Sequence, residues 1–243
     1  MANYVDDILN EIIFSRGLPK RNSYESLISS IALYFAKKEN NQEMIDLSSK
    51  YSTNDIEIKK YLDEIEPSNL DELVIKVLKH CNQGFMYNET SPFELSELVL
   101  SLLEVDGSGE IIFDLGCGDG TFLANTIIYA KKHNICLKEI VGTEIVPTMA
   151  DFAKMVIYIL TRNYVCSSRI YTENTLMRKE IDFPYTHSYV MPPFGIKNNG
   201  VNQYSTIFDV KFTQKSLMEW QYVDKMLEPM GTYLQYCCSS IAS

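Results

Sequence analysis

Apolar residues in the first third of the chain recur at three- and four-residue spacing, the period of a helix with one buried face. Val5, Ile8, Leu9, Ile12 and Ile13 share such a face, and after a break at 17–22 carrying Gly17 and Pro19 the pattern resumes with Leu27, Ile28, Ile31, Tyr34 and Phe35. Shorter helical patterns follow at 56–65 and 70–81. The spacing predicts an N-terminal helical domain over 1–83. It gathers no catalytic residue types, so its simplest role is packing or assembly. Ser91, Pro92 and Glu94 make a capping box with proline at the first helical position, and Leu95, Leu98, Val99, Leu102 and Leu103 continue that helix.

Beyond the polar turn at 106–109 the period changes. Ile111, Ile112 and Phe113 form a short apolar run, the kind a strand needs when both faces of a parallel sheet are covered. Helices are predicted at 121–133, 147–162 and 213–227, and strands at 139–142, 169–171, 188–191 and 232–236. This alternation describes an open, three-layer α/β fold with a mostly parallel sheet, a second domain over 84–243.

Composition and charge narrow the classes. The chain has 243 residues, 46% hydrophobic and 22% charged, the balance of an ordinary globular protein. Its 22 lysines and arginines against 32 acids leave a net charge of −10, which repels a phosphate backbone at long range, so DNA binding by the isolated chain is expected to be weak. Six cysteines without a CxxC pair, and no histidine at zinc-ligand spacing, argue against a metal site and against a disulfide framework. A reducing, cytoplasmic setting fits them. The first residues lack the pattern of a signal peptide, and no apolar run nears the ~20 residues that span a bilayer, so no membrane role is expected.

Candidate chemistry lies where strands run into loops. The segment Asp114-Leu115-Gly116-Cys117-Gly118-Asp119-Gly120-Thr121 joins a strand to a helix through three glycines, which allow a tight turn and bring a ligand against bare backbone and a helix N-terminus. A dinucleotide fingerprint wants glycine where Thr121 stands, which turns the expected cofactor toward S-adenosylmethionine. Glu144 follows at the tip of the next strand, about the ~20 residues beyond the glycines where ribose hydroxyls are gripped. A third strand runs into Met191-Pro192-Pro193-Phe194-Gly195, whose prolines stiffen a loop that can hold carbonyls and a ring over a flat, flipped base.

These residues resemble the methyltransferase (modification) subunit of type I restriction-modification systems, among the adenine-N6 DNA methyltransferases. The family's D-P-A-C-G-T-G-G-F-L is similar to the run from Asp114 through Cys117, Gly118, Gly120, Phe122 and Leu123. Its G-x-E-I-x-P, followed by A-K-M, is matched by Gly142, Glu144, Ile145, Pro147 and Ala153-Lys154-Met155. Its G-D-T-L stands as Glu173-Asn174-Thr175-Leu176, and its N-P-P-F-G as Met191 to Gly195. Loosely, its G-E-F-Y-T-P resembles the stretch from Gly84 to Glu89, with Tyr87.

The resemblance implies a Rossmann-like S-adenosylmethionine-dependent methyltransferase fold behind an N-terminal helical domain. Asp114, Gly116, Gly118, Asp119, Gly120 and Thr121 would make the loop for the cofactor's methionine end. Glu144, with Ile145 beside it, would hold the ribose, Asn174 and Thr175 the adenine edge, and Tyr87 would close over the site. Phe194 would stack on a flipped adenine, the Pro192 carbonyl would accept one amino hydrogen, and Pro193 would stiffen the loop. No metal is implied. DNA and the specificity and restriction subunits of such systems are the implied partners.

Two departures bear on function. The family begins its catalytic loop with Asn, Asp or Ser, whose oxygen accepts from the target amino group. Met191 offers only a weak acceptor, a loss expected to cost about a hundredfold in rate. The chain also stops just after 232–236, so the C-terminal part of the family's fold is expected to be missing from this sequence. A catalytically silent assembly or regulatory subunit, and an RNA or protein-glutamine methyltransferase, are the alternative readings.

Overall fold

The computed structural model describes residues 20–52, 56–82, 93–105, 108–164, 166–178 and 183–191, with Val5, Leu9 and Gln221. Helices α1 (Lys20–Glu39), α2 (Gln42–Ser49), α3 (Ile56–Leu62), α4 (Pro67–Asn82) and α5 (Phe93–Leu102) precede the sheet. Then β1 (Ser108–Asp114), α6 (Thr121–His133), β2 (Cys136–Glu144), α7 (Pro147–Thr161), β3 (Ser167–Thr172) and β4 (His187–Tyr189) alternate as the sequence predicts, each strand within a few residues of its expected bounds. Apart from Val5, Leu9 and Gln221, which are helical and buried, the expected elements at 5–13, 213–227 and 232–236, the capping pair Ser91 and Pro92, and the boundary at 83/84 lie outside the described residues.

The sheet is parallel, in the order β3-β2-β1-β4. The chain thus leaves β1 toward β2 and β3 and returns to its other side as β4. In open α/β sheets such a reversal opens a crevice at the carboxyl ends of the strands. Asp114, Glu144, Thr172 and Tyr189 end the four strands along that edge, with Asp114 opposite both Gly142 and Tyr189, and Glu144 opposite Thr172.

Alternation along β1 divides the core. Ile112 faces a large cluster with Ile140 and the buried sides of α6 and α7, while Ile111 and Phe113 face a smaller one with Val141 and Phe183. Helix α7 buries Ala150, Phe152, Ala153, Met155, Val156, Ile157, Ile159 and Leu160, more than one face of a helix can hold. The cause is a layer behind it, because Leu27, Ile28, Ile31, Leu73 and Val77 of α1 and α4 belong to the same continuous core. Polar ties reinforce the contact. Tyr51 donates to Asp151 Oδ2 (2.9 Å), Tyr158 donates to Glu39 Oε2 (2.5 Å), and Lys131 Nζ reaches both oxygens of Asp71 (2.7 and 2.9 Å). The N-terminal helices thus share the core of the α/β part.

Among the described residues no helix is long and apolar enough to cross a membrane. Cys117, Cys136 and Cys166 carry no disulfide.

Candidate cofactor site

The loop between β1 and α6 is held from three sides. The Leu115 N–H donates to the Tyr189 carbonyl (3.0 Å), tying it to β4, and the Cys117 N–H donates to the Thr143 carbonyl (2.9 Å), tying it to β2. From beneath, the Leu115 carbonyl accepts from the Thr143 hydroxyl (2.9 Å) and the Thr175 hydroxyl (3.0 Å), which also contact each other. Gly118 and Gly120 adopt left-handed backbone, φ 55° and 84°. Gly120 also lies close to α7, since a Cβ there would stand 3.2 Å from the Ala153 Cβ. Helix α6 therefore starts without a side chain on its N-cap. Asp119 fills that role, its Oδ1 accepting from the Thr121 N–H (3.0 Å) and hydroxyl (2.7 Å).

Glu144 closes the loop from β2. Its Oε2 accepts from the Gly118 N–H (3.1 Å) and its Oε1 from the Val146 N–H (2.7 Å). A carboxylate has about four lone-pair positions, so capacity for two hydroxyls remains. The loop after β3 is tied alongside, the Glu173 N–H donating to the Glu144 carbonyl (3.0 Å). Asn174 caps the 3₁₀ turn Thr175–Met177 by accepting from the Leu176 N–H (3.0 Å), which leaves its amide nitrogen as a donor.

Two buried carboxylates, Asp114 and Asp119, lie on this loop beside the half-buried Glu144. Asp114 is 2% exposed, and its Oδ1 accepts from the Gly116 N–H (3.2 Å). Burial pushes its pKa up to about 7, and the charges of Glu144 and Asp119 push the same way. Asp119 is raised by burial too, with Glu144 adding to the effect. The Cys117 thiol is driven well above its ordinary value by burial and by Asp114, Glu144 and Asp119, which makes it a packing group and not a nucleophile. Among the described residues no group of His, Cys, Asp or Glu has the arrangement to hold a metal. An acidic loop of this kind at the strand ends fits a cationic organic ligand.

The structure brings Asp114, Gly116, Gly118, Asp119, Gly120, Thr121 and Glu144 together at one edge. Ile145 follows Glu144 and is 59% exposed, with Val146 (45%) next to it and Met177 (61%) on the neighbouring loop, an apolar rim beside the carboxylate. Thr175 is brought to the same edge, but its hydroxyl is turned inward onto Leu115. Met191 lies two residues beyond β4, half-buried, and Tyr87, Pro192, Pro193 and Phe194 lie outside the described residues.

Three residues to which the sequence reading gives no role in the site support the loop. Gly142 of β2 leaves room under the loop, since a Cβ there would meet Cys117 Sγ and Ile170 Cδ1 at 2.9 Å and Leu123 Cδ1 at 3.0 Å. Thr143 carries the bond to Leu115. Tyr189 stacks flat on Phe122, ring centres 3.6 Å apart and planes 11° from parallel, joining β4 to the first turn of α6. An aromatic three residues before the proline pair is the sequence signal for the last of these.

Comparison with known proteins places this arrangement. Three solved structures share the fold at 12–13% identity. A chain from Listeria monocytogenes assigned as a class I S-adenosylmethionine-dependent methyltransferase superposes with a TM-score of 0.59 at 12% identity, over 93% of this chain and 68% of its own. The type I restriction-modification methyltransferase subunit from Streptococcus thermophilus gives 0.57 at 12% identity, over 92% and 55%. A chain from Vibrio vulnificus assigned as the modification subunit of a type I restriction enzyme gives 0.53 at 13% identity, over 76% and 42%. The chain thus spans about half the length of the last two. No curated protein sequence matches it. The family model for N-6 DNA methylases matches residues 79–232, more than half of the chain and all of the described site. This chain belongs to the N-6 DNA methylase family.

Proposed function

We propose that the chain binds S-adenosylmethionine and serves as the modification subunit of a type I-like restriction-modification assembly acting on the adenine N6 of DNA in the cytoplasm. The observation that carries this reading is the glycine loop bound to Glu144, at the strand ends where β1 has partners from both directions. When bound, the cofactor supplies an electrophilic methyl group on a positively charged sulfur. The backbone of 116–120 and the carboxylates around it hold the cationic end, Glu144 accepts from the ribose hydroxyls, and Ile145 and Asn174 flank the adenine. Thr175 acts from below by fixing Leu115. Tyr87 closes the pocket, and Pro192, Pro193 and Phe194 hold the target base. The boundary of the helical domain at 83/84 belongs to the same proposal.

Met191 limits the chemistry. A thioether in place of an amide or carboxylate oxygen leaves the target amino group short of one acceptor, at a cost of about a hundredfold in rate. The same residue supports a second reading, a silent subunit that keeps the pocket for assembly. With a net charge of −10, sequence reading falls to the specificity subunit, and the chain alone binds duplex DNA weakly at ~150 mM salt.

Titration calorimetry tests the pocket without the unknown DNA site. Micromolar binding of S-adenosylmethionine is expected, and Glu144→Ala weakens it by about tenfold or more, the worth of charge-assisted hydrogen bonds. Unchanged affinity removes Glu144 from the ribose. Within the assembled complex, Met191→Asn is expected to raise methyl transfer about a hundredfold, and full activity in the unaltered chain refutes the role given to Met191.

A further inference from the structure

Tyr189 is the last residue of β4, and it grips the glycine loop at both ends. At the near end its carbonyl accepts from the Leu115 N–H (3.0 Å), where the loop leaves β1. At the far end its ring lies flat on Phe122, the second residue of α6, with centres 3.6 Å apart and planes 11° from parallel. The backbone from Leu115 to Phe122, which carries Gly116, Gly118 and Gly120, is therefore bracketed by one residue of the neighbouring strand. Two other aromatic pairs of the chain meet differently. Phe113 meets Phe183 at 86° and Tyr34 meets Phe35 at 76°, edge to face. Edge-to-face rings tolerate a range of separations, about 4.5–7 Å. Two faces in contact at the thickness of a ring set one separation, since closer approach is repulsive and a gap forfeits the dispersion contact. Phe122 has no room to turn aside, because it is 2% exposed and the turn before it is packed on α7, where a Cβ on Gly120 would stand 3.2 Å from the Ala153 Cβ. The stack thus fixes the spacing between β4 and the first turn of α6. Val190 next packs on the smaller core with Phe113 and Leu115, and Met191 follows at the head of the residues assigned to the target base.

The geometry points to Tyr189 as a positioning residue, one that holds the cofactor loop and the chain entering the target-base loop at a fixed spacing through the Phe122 ring. This rests on the proposed cofactor. Transfer of a methyl group needs donor and acceptor aligned at about 3–3.5 Å, so the spacing of the two loops matters as much as the shape of either. Tyr189 acts on that spacing from β4, through Leu115 on one side and Phe122 on the other. The ring carries the effect and not the hydroxyl, so phenylalanine at this position suffices. An aliphatic residue keeps the carbonyl bond to Leu115 and fills much of the space, but it leaves α6 free to shift against β4 and the loop free to shift with it.

The test is titration calorimetry with S-adenosylmethionine on the full chain, comparing wild type with Tyr189→Phe, Tyr189→Leu and Phe122→Leu. Tyr189→Phe is expected to bind within about twofold of wild type. Tyr189→Leu and Phe122→Leu should each bind about three- to tenfold more weakly, the worth of an aromatic pair, and the double leucine variant no more weakly than either alone. Lys131→Met, a destabilising change in the last turn of α6, should lower Tm and leave affinity unchanged, which separates positioning from a general loss of stability. Hydrogen exchange on the unaltered chain needs no variant to fold: the cofactor should protect amides at 188–191 together with those at 115–123. Wild-type affinity in a folded Tyr189→Leu, equal weakening by Tyr189→Phe, additive losses in the double variant, or protection confined to 115–123 overturns the inference and leaves the cofactor assignment standing. Failure of the folded wild-type chain to bind overturns both.

Discussion

Gly142→Ala tests whether the floor of the loop is set by packing. The added methyl would stand 2.9 Å from Cys117 Sγ, 2.9 Å from Ile170 Cδ1 and 3.0 Å from Leu123 Cδ1, all well inside ordinary contact. Cys117 and Leu123 are buried, and the Cys117 N–H is held by the Thr143 carbonyl, so the loop end of the gap has little room to yield. Overpacking of this kind costs about 1–3 kcal/mol, offset by about 0.5 kcal/mol for the stiffer unfolded chain. The net expectation is about 1–2 kcal/mol, a fall in Tm of roughly 3–6 °C for a chain of this size, read by denaturant and thermal unfolding. Cys117→Ala opens the space that Gly142→Ala fills. The double variant should therefore be more stable than the sum of the single changes by about 0.5 kcal/mol or more. A neutral or stabilising Gly142→Ala refutes the packing account, and so does additivity within about 0.3 kcal/mol.

Two further outcomes follow from charges in the core. Asp114 keeps its proton in the folded chain up to about pH 7, whereas an unfolded aspartate loses it near 3.8, so folding takes up a proton between those values and stability falls as pH rises across that window. Asp114→Asn removes the fall; without ligand it should equal wild type near pH 3.5 and exceed it at pH 8 by up to about 4 kcal/mol, and equal stability at pH 8 would contradict the burial argument. Lys131→Met strands the Asp71 carboxylate, whose pKa burial already raises, and should cost about 1–3 kcal/mol by urea unfolding, more than Asp71→Asn; the reverse order would mean that α4 is not held on α6 by this pair.

Much of the site is local and was readable in one dimension. Three glycines between an apolar run and a helix describe a strand, a tight loop and a helix N-terminus, because alternation and helical spacing are properties of near neighbours. Glu144 at the end of the next strand follows from the same logic, as does the parallel sheet from alternating elements. Spacing places Asn174 and Thr175 side by side but does not say which side chain points out of the sheet; the contact of Thr175 with Leu115, 60 residues earlier, decides that. Nor does it show that Gly142 must lack a side chain, since its three neighbours come from a loop, a helix and another strand. The N-terminal helices read as a separate unit by their period, yet they share a core with α6 and α7, a fact that only the burial of α7 on several sides reveals. Above all, Asp114, Asp119 and Glu144 are ordinary acids in the sequence. The loss of water at Asp114 and Asp119, and the push of Glu144 on both, exist only once β1, β2 and the loop close around them, because desolvation and Coulomb energy depend on distance through space and not along the chain.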